Sequence, residues 1–335
     1  MEIKRQRFKS IVKSILLFFT KRKIFRKFFI LFAEYIPQSK KFIRKLPVPN
    51  NVKTFLLVKH KKILFTSPQR CCFSKQLYWD KGEIFPIQDR LTLEIFLRIS
   101  GLCSNAFDIG CNTCQFAVSA CTLNKRLKAF AFDILPEAIS LSINNALLNK
   151  IPPQRLMIEN IGLADTFSRK SVPMSKYSPS LMSAFALDSS TLGNKPNEAL
   201  DIEITTLDHY LDKRGLISLS GSSVFKLDVE GFEGNVLDGS NHTIQRLRPF
   251  IICEVRDKTN PKKIQELLDK HAYKYFLITD MGLLRSRQVY FHEAFRDWLF
   301  VPNNNDKENE ILNQLFGSNN ELGKSHDIHF KYLRT

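Results

Sequence analysis

FDIGCNTC, the stretch at residues 107–114, is the most informative part of this sequence. A short apolar strand pattern leads into it and a helical pattern follows it. In α/β proteins, a strand that ends in an acid and a glycine before a helix presents backbone N–H groups to a ligand at the carboxyl edge of a sheet. Gly110 permits a tight turn and close approach of the ligand, which a Cβ atom would obstruct. The stretch therefore predicts a nucleotide-binding turn.

A second acidic residue, Asp133, follows the turn at a spacing typical of nucleotide-binding folds. The apolar run AFAF, residues 129–132, reads as a strand and ends in Asp133. This acid comes about 20 residues after the turn, which is the spacing at which a carboxylate on the neighbouring strand reaches a ribose diol. A solvated acid at a strand end is the alternative, and the spacing favours the binding role.

Three later stretches give the first two their context. They are TLD at residues 206–208, VFKLDVEGFE at 224–233 and RPFIICEV at 248–255. In this order the five stretches resemble the FkbM-type methyltransferases that depend on S-adenosyl-L-methionine (SAM). That family shows a DxGxNxG turn, an acid after the second strand, a TLD element, a K-[IL]-D-[VI]-E-G strand end and an RP-led fifth strand. The resemblance covers residues 86–302.

The sequence departs from the family at one position. Cys114 stands where the family has its third glycine, and a side chain there is expected to sit where the cofactor approaches closely. A weakened or regulated cofactor site is therefore one hypothesis. A redox role for the pair Cys111 and Cys114 is another, because a helix N-terminus lowers the pKa of a thiol. The surrounding residues fit a nucleotide turn better.

The resemblance implies SAM as cofactor and assigns roles to its binding residues. Asp108 is expected to bind the amino group of SAM or to order the turn, and Gly110 and Asn112 to shape the turn. Asp133 is expected to hold the ribose hydroxyls. Asn160, after the third strand, either faces the adenine or is a simple turn residue.

The catalytic candidates are Asp228 and Glu230, at the carboxyl end of the fourth strand, where ligands lie in open α/β sheets. Alternation along the strand end places both on the same side, with Lys226 as a partner. One carboxylate is expected to orient or deprotonate an acceptor hydroxyl while the other fixes the sulfonium end or a basic group. A strand-end salt bridge that caps the following helix is the alternative.

The predicted function is SAM-dependent methylation, with the acceptor taken from the resemblance: a hydroxyl of a sugar, glycolipid or secondary metabolite. Two alternatives stay open. One is a catalytically impaired scaffold that the basic N-terminus recruits to a membrane or partner. The other is a nucleic-acid methyltransferase, although the Asn/Asp-Pro-Pro-aromatic element of many base-modifying enzymes is absent from the sequence. No paired ligand spacing predicts a metal site, and metal assistance through Asp228 and Glu230 stays open.

Alternation of buried strands with helices predicts an α/β fold. We expect a Rossmann-like, doubly wound, mostly parallel sheet of seven strands, whose last strand is antiparallel. The predicted divisions are a basic helical extension (1–50), a hairpin and linker (51–85), the methyltransferase domain (86–302) and a polar tail (303–335). The segment 166–199 has no clear period and is predicted to be a long loop that covers the substrate.

The net charge of +17 is concentrated at the N-terminus. Residues 1–50 hold fourteen Lys or Arg against two Glu, which leaves +12 in this segment. Its uncharged runs are far shorter than the roughly 20 residues of a spanning helix. Phe, Leu and Ile interleaved with Lys and Arg fit an amphipathic helix on anionic membrane, a helix docked on the domain, or nucleic-acid or organelle targeting. A basic arm alone argues against nucleic acid.

Cysteine usage bears on the compartment. The seven cysteines, an odd number, argue against a disulfide framework. A reducing cytoplasm is the simplest location for the chain, with peripheral contact at the inner membrane face as an added possibility.

Overall fold

The computed structural model of this protein describes parts of residues 16–49 and then residues 52–58, 60–79, 87–174, 198–257, 259–280 and 282–303. Among these residues the helices are α1 (Lys23–Tyr35), α2 (Cys72–Trp79), α3 (Ile87–Leu102), α4 (Gln115–Leu123), α5 (Pro136–Leu148), α6 (Leu207–Lys213), α7 (Glu233–Asp238), α8 (Asn241–Leu247) and α9 (Pro261–Asp269). The strands are β1 (Thr54–Val58), β2 (Lys61–Phe65), β3 (Asn105–Ile109), β4 (Lys128–Phe132), β5 (Leu156–Glu159), β6 (Gly162–Leu163), β7 (Ser168–Met174), β8 (Glu198–Thr205), β9 (Ser223–Leu227), β10 (Phe250–Glu254), β11 (Tyr273–Thr279), β12 (Gly282–Ser286) and β13 (Asp297–Pro302).

A large sheet forms the centre of the fold, with the strand order β5-β4-β3-β9-β10-β13-β11-β12. The five neighbouring strands β5, β4, β3, β9 and β10 are parallel, and β13 runs antiparallel to β10. The predicted mostly parallel, doubly wound sheet is therefore confirmed, together with its antiparallel last strand. The structure adds an eighth strand that was not predicted, because β12 folds back on β11 as an edge hairpin.

The two faces of the sheet pack into separate cores. On one face, Ala106 and Ala129 leave room for α3, α4 and the β1-β2 hairpin. On the other face, Phe107 and Phe130 stack with ring centroids 4.8 Å apart, beneath α6, α8 and α9. Small and large residues alternate because successive side chains of a strand point to opposite faces. Since both faces are covered, β3 and β9 are buried at every position.

The predicted hairpin is confirmed as β1 and β2. It is held by the side chains of α5 and its C-terminal cap, because the backbone N–H groups of Leu64 and Thr66 donate to Asn149 and Asn145, both at 2.9 Å. The segment predicted as linker contains a helix, α2, that sequence reasoning missed. Domain boundaries stay a prediction.

The predicted long loop is wrong at both of its ends. Residues 168–174 and 198–205 form β7 and β8, which pair antiparallel and join β6 in a small sheet. The start of β7 is a polar surface strand with exposed side chains at Arg169, Lys170 and Ser171, so no apolar period marks it. The remaining residues of that segment, 175–197, lie outside the described residues, as do residues 1–15 and the predicted tail after Asn303.

Candidate active site

A cavity of about 360 Å³ opens at the carboxyl edge of the central sheet. Its walls are the turn after β3, the ends of β4 and β9, the start of α2, and the small sheet with the segment that precedes it. Sequence reasoning did not anticipate the start of α2. The segment predicted to cover the substrate, residues 166–199, contributes Thr166, Ser168 and Lys170 to the wall. Six of the predicted site residues line this cavity: Asp108, Gly110, Asn112, Asp133, Asp228 and Glu230.

Gly110 is required by the neighbouring strand. Its φ is +77°, and a Cβ atom built there would lie 1.8 Å from the backbone oxygen of Asp228. The N–H groups of Gly110 and Cys111 both donate to Phe132 O at 2.9 Å. The group that approaches Gly110 closely is thus the backbone of Asp228, whereas the sequence analysis expected a ligand there. The glycine lets the ends of β3 and β9 close against each other.

Asn112 and Cys114 both adopt the left-handed conformation, with φ of 48° and 55°. Asn tolerates this conformation, while a glycine at the second position would carry no Cβ penalty. The Cys114 side chain is fully buried in the core beneath α4 and does not line the cavity. The expectation that it obstructs the ligand is therefore wrong. The family glycine at this position answers a backbone requirement.

A buried aspartate and a partly buried one hold the turn after β3. Asp108 accepts from Ala117 N at 3.0 Å, in the first turn of α4, and burial raises its pKa to about 7. Asp133 accepts from Asn112 N at 2.8 Å and from Leu135 N at 2.9 Å, and burial raises its pKa to about 6. Asp108 was predicted either to bind the amino group of SAM or to order the turn, and its bond from Ala117 N supports the second role. Each oxygen of Asp133 keeps a second lone pair for a ligand.

Asn160 stands apart from the other predicted residues. Its side chain is exposed, and its amide donates to Asp133 O at 2.9 Å, which ties the end of β5 to the end of β4. It is not part of the cavity wall. A turn role has direct contacts, and the adenine role stays a prediction.

Lys226 is the buried cation of the site. Its Nζ lies 3.6 Å from Asp228 Oδ2 and 3.5 Å from Asp297 Oδ1. Burial works to lower the pKa of Lys226, but Asp228, Asp297 and Glu254 outweigh it and raise this pKa above its ordinary value. Burial and the adjacent Asp228 raise the pKa of Glu254 to about 10. Lys226 therefore stays charged among these carboxylates.

Glu230 has a different partner. It adopts a left-handed φ of 56° and forms an ion pair with Arg256, whose Nε also lies 3.3 Å from Glu254 Oε1. Asp228 and Glu230 thus line one cavity with separate cations. In the salt-bridge alternative, one of these acids caps the next helix. Neither does so, because the N-cap of α7 is Phe232 and this helix start has no side-chain cap bond. Glu233 instead holds the turn before α7, because its carboxylate accepts from Val229 N at 3.0 Å and Gly231 N at 3.2 Å.

The TLD element also has a structural role. Thr206 caps α6 by accepting from His209 N at 3.0 Å. Asp208 accepts from His242 N at 2.9 Å and from Thr243 N at 2.8 Å, which joins α6 to the start of α8. This motif therefore fixes the packing beneath the sheet and lies outside the cavity wall.

The cysteines of the turn do not have the properties of a redox pair. Burial, followed by the neighbouring Cys114, raises the pKa of Cys111 well above its ordinary value. The sequence argument expected the opposite shift, and desolvation explains the difference. Within the described ranges, no group of three or more His, Cys, Asp or Glu residues is arranged to hold a metal ion.

A family model for the methyltransferase FkbM domain matches residues 108–275, which is half of the chain. The chain belongs to the FkbM methyltransferase family. The match begins at Asp108, ends within β11 and includes every acidic residue discussed for the cavity except Asp297. Search of curated proteins finds no significant match.

Several solved structures that are similar to this FkbM-family chain are methyltransferases of low identity. A methyltransferase FkbM from Methylobacillus flagellatus KT is 12% identical, with a TM-score of 0.36, over 59% of this chain and 43% of that one. The chain thus spans less than half of that structure's length. A SAM-dependent methyltransferase from Agrobacterium tumefaciens is 8% identical, with a TM-score of 0.39, over 78% and 72%. Magnesium protoporphyrin IX methyltransferase from Synechocystis PCC 6803, solved with bound SAM, is 10% identical, with a TM-score of 0.35, over 64% and 79%.

Proposed function

We propose that this protein is a SAM-dependent O-methyltransferase whose acceptor is a hydroxyl of a sugar, glycolipid or other small metabolite. The observation that carries the proposal is a single cavity with two acidic ends. Asp133, after β4, lies at one strand end, and Asp228, after β9, lies at another. The turn at Gly110 joins them. In-line transfer needs a cofactor and an acceptor held together in one site.

The end near Asp133 suits the nucleoside of SAM. The carboxylate is fixed by backbone N–H groups and has lone pairs left for the ribose hydroxyls. Ile134, Leu135 and Ile161 line the cavity beside it and offer an apolar surface for an adenine ring. Asp108, Gly110 and Asn112 hold the shape of the turn. When bound, SAM supplies a methyl group on a sulfonium, whose carbon–sulfur bond breaks as the acceptor oxygen bonds to the methyl carbon.

The end near Asp228 suits the acceptor. Methylation of a hydroxyl releases a proton, which a positioned carboxylate can take. Asp228 is the proposed base, because its side chain lines the cavity and is 39% exposed, and the Nζ of Lys226 lies 3.6 Å from its Oδ2. Glu230, paired with Arg256, is proposed to orient the acceptor. Glu254 shares a side-chain hydrogen bond with Asp228, which helps to keep that carboxylate in place.

Calorimetric titration of SAM and S-adenosylhomocysteine tests the cofactor half of the proposal. We expect micromolar binding by the wild-type chain and a loss of at least about tenfold in Asp133→Ala, because the ribose hydroxyls lose an acceptor. Asp212→Ala, at an exposed aspartate on α6, is the matched control and is expected to bind as wild type. A folded wild-type sample that binds neither compound would favour the scaffold alternative.

The acceptor half needs separate variants. Asp228→Asn and Glu230→Gln are expected to keep SAM affinity within about threefold while single-turnover methyl transfer to a hydroxyl acceptor falls about a hundredfold or more. A panel of sugars, glycolipids and small alcohols, assayed with labelled SAM, identifies the acceptor class. Transfer that survives in Asp228→Asn would remove this residue from the role of base.

A further inference from the structure

Helix α1 has one apolar side that is docked on the rest of the protein. Ile30 is 7% exposed, and Phe29 packs edge-to-face on Trp79 of α2 with ring centroids 6.3 Å apart. Tyr78, beside that tryptophan, donates to Thr20 O at 2.9 Å. A small separate core that includes Ile43 completes the contact. This side of the helix thus matches the alternative, named in the sequence analysis, of a helix docked on the domain.

A second apolar row lies on the other side of α1 and faces solvent. This outer row consists of Ile24, Phe28, Leu31 and Phe32, which are 79%, 60%, 49% and 41% exposed. At about 100° per residue, the first three lie within a sector of about 60°. Phe32 extends the row, because its ring stacks on that of Phe28 at 6.2 Å. Single exposed apolar residues are ordinary, but a contiguous row marks a contact surface.

The sequence around the outer row is strongly basic. Arg22 directly precedes α1 and Lys27 lies within it, and residues 1–50 carry +12. Among the helices that the structure describes, none is long and apolar enough to cross a membrane. An apolar row flanked by Lys and Arg is the composition of a helix that lies in the interface of an anionic bilayer. Nucleic acid would use the charges and leave the apolar row unsatisfied.

We propose that α1 docks the protein on an anionic membrane surface through its outer row. The helix lies in the plane of the bilayer, with Phe28 and Leu31 in the boundary between headgroups and acyl chains, and with the lysines at the headgroups. The docked side keeps the helix attached to α2. Anionic lipids are concentrated in the cytoplasmic leaflet, so the inner face of a cell membrane is the surface that fits.

Co-sedimentation of the full chain with vesicles tests this proposal without any cofactor, so its outcome is independent of the proposed methyl transfer. The probes are phosphatidylcholine vesicles with and without about 30% phosphatidylserine. We expect the wild-type chain to bind the anionic vesicles preferentially and to lose much of this binding at high salt. Phe28→Ser/Leu31→Ser is expected to weaken binding at least about tenfold, because two apolar side chains no longer leave water.

A matched control separates this surface from general stickiness. Leu147→Ser/Ile217→Ser removes two apolar side chains that are 64% and 62% exposed elsewhere on the protein, and we expect it to bind anionic vesicles like the wild type. Unchanged melting temperatures establish that both double variants are folded. Equal binding by the Phe28/Leu31 variant, no vesicle binding by the wild type, or wild-type affinity for RNA in place of vesicles would each overturn the proposal.

Discussion

Two strand-to-helix turns meet at the cavity, and they handle their carboxylates in opposite ways. After β3, Asp108 is 1% exposed and its contact is the backbone N–H of Ala117. After β9, the Asp228 side chain is 39% exposed and faces the Nζ of Lys226. The strands are neighbours, and Asp228 N donates to Ile109 O at 2.9 Å. One turn uses its charge to hold backbone in place, and the other leaves charge open to the cavity.

At this edge of the sheet, the turn after β3 therefore fixes the backbone, and the turn after β9 supplies the charged side chains. The turn after β3 fixes geometry because its acceptors are matched by backbone donors. The turn after β9 gathers Lys226, Asp228 and Glu254, whose interactions depend on side-chain charges. Changes in the first turn are therefore expected to act mainly on stability and cofactor binding. Changes in the second are expected to act on catalysis as well.

Gly110→Ala is expected to have the largest effect. A Cβ atom would overlap the backbone oxygen of Asp228, and the φ of +77° adds strain for any residue with a side chain. We expect a loss of more than about 4 kcal/mol in the free energy of unfolding, or no folded protein. Urea denaturation measures it. Gly101→Ala, where a Cβ meets nothing within 4 Å, is the control, and comparable losses in both variants would contradict the role of the contact.

Lys226→Met tests the charged turn. Removal of a buried cation leaves Asp228 and Asp297 facing each other without compensation. We expect a loss of about 3 kcal/mol in the free energy of unfolding, together with loss of methyl transfer. Arg256→Met removes a partly exposed cation from Glu230 and is expected to cost less than about 1 kcal/mol. If the two variants were equally stable, Lys226 would not be the organising cation.

The pH dependence of stability tests the first turn. The pKa of Asp108 is raised from 3.8 to about 7 by burial, so the folded protein holds a proton that the unfolded chain has released. Stability from this group is fully present below about pH 4 and is lost as pH rises through about 7. Asp108→Asn keeps an acceptor for Ala117 N and removes the titration.

We therefore expect this variant to gain on the order of 4 kcal/mol in the free energy of unfolding over the wild type between pH 4 and pH 8. Denaturant unfolding at several pH values measures it. Asp212→Asn changes an exposed aspartate and should leave the pH profile of stability as in the wild type. Parallel profiles for Asp108→Asn and wild type would show that Asp108 is ionised throughout this range.

Cys114→Gly is expected to have the smallest effect. Glycine relieves the left-handed backbone, which favours folding by about 1 kcal/mol, but it empties a fully buried side-chain position. The net change in the free energy of unfolding should stay within about 1 kcal/mol. SAM affinity, measured by calorimetry, should change by less than about threefold, because Cys114 lies outside the cavity wall. Tightening by more than tenfold would restore the obstruction hypothesis.

The central strands could be predicted from the sequence closely. Strand β4 contains the whole predicted run 129–132 and is longer by one residue, Lys128. Continuous apolar runs that end at Gly, Asp or Pro leave little freedom in these positions. Helix α2 was missed because it is short and lies in a stretch without an apolar period, and β7 was missed because its exposed side chains are polar.

The acids of the site could be predicted, but their partners could not. Strand-end positions identify Asp133 and Asp228 because parallel strands end at one edge. The pairing of Lys226 with Asp297 joins residues that are 71 positions apart, and it depends on how β13 inserts beside β10. Glu233 was part of the quoted motif, yet its bonds to Val229 N and Gly231 N depend on the conformation of the turn. Local sequence contains neither fact.

Helix α2 gives the molecule a mechanical link. Its first residues, Cys72 and Phe73, form part of the cavity wall, while Trp79 at its last position packs on Phe29 of α1. Eight residues of helix span only about 12 Å and behave as a short rigid rod. We therefore expect a displacement of α1 to reach the cavity wall by way of α2. Because coupling is reciprocal, a ligand that fills the cavity is expected to affect the position of α1 in turn.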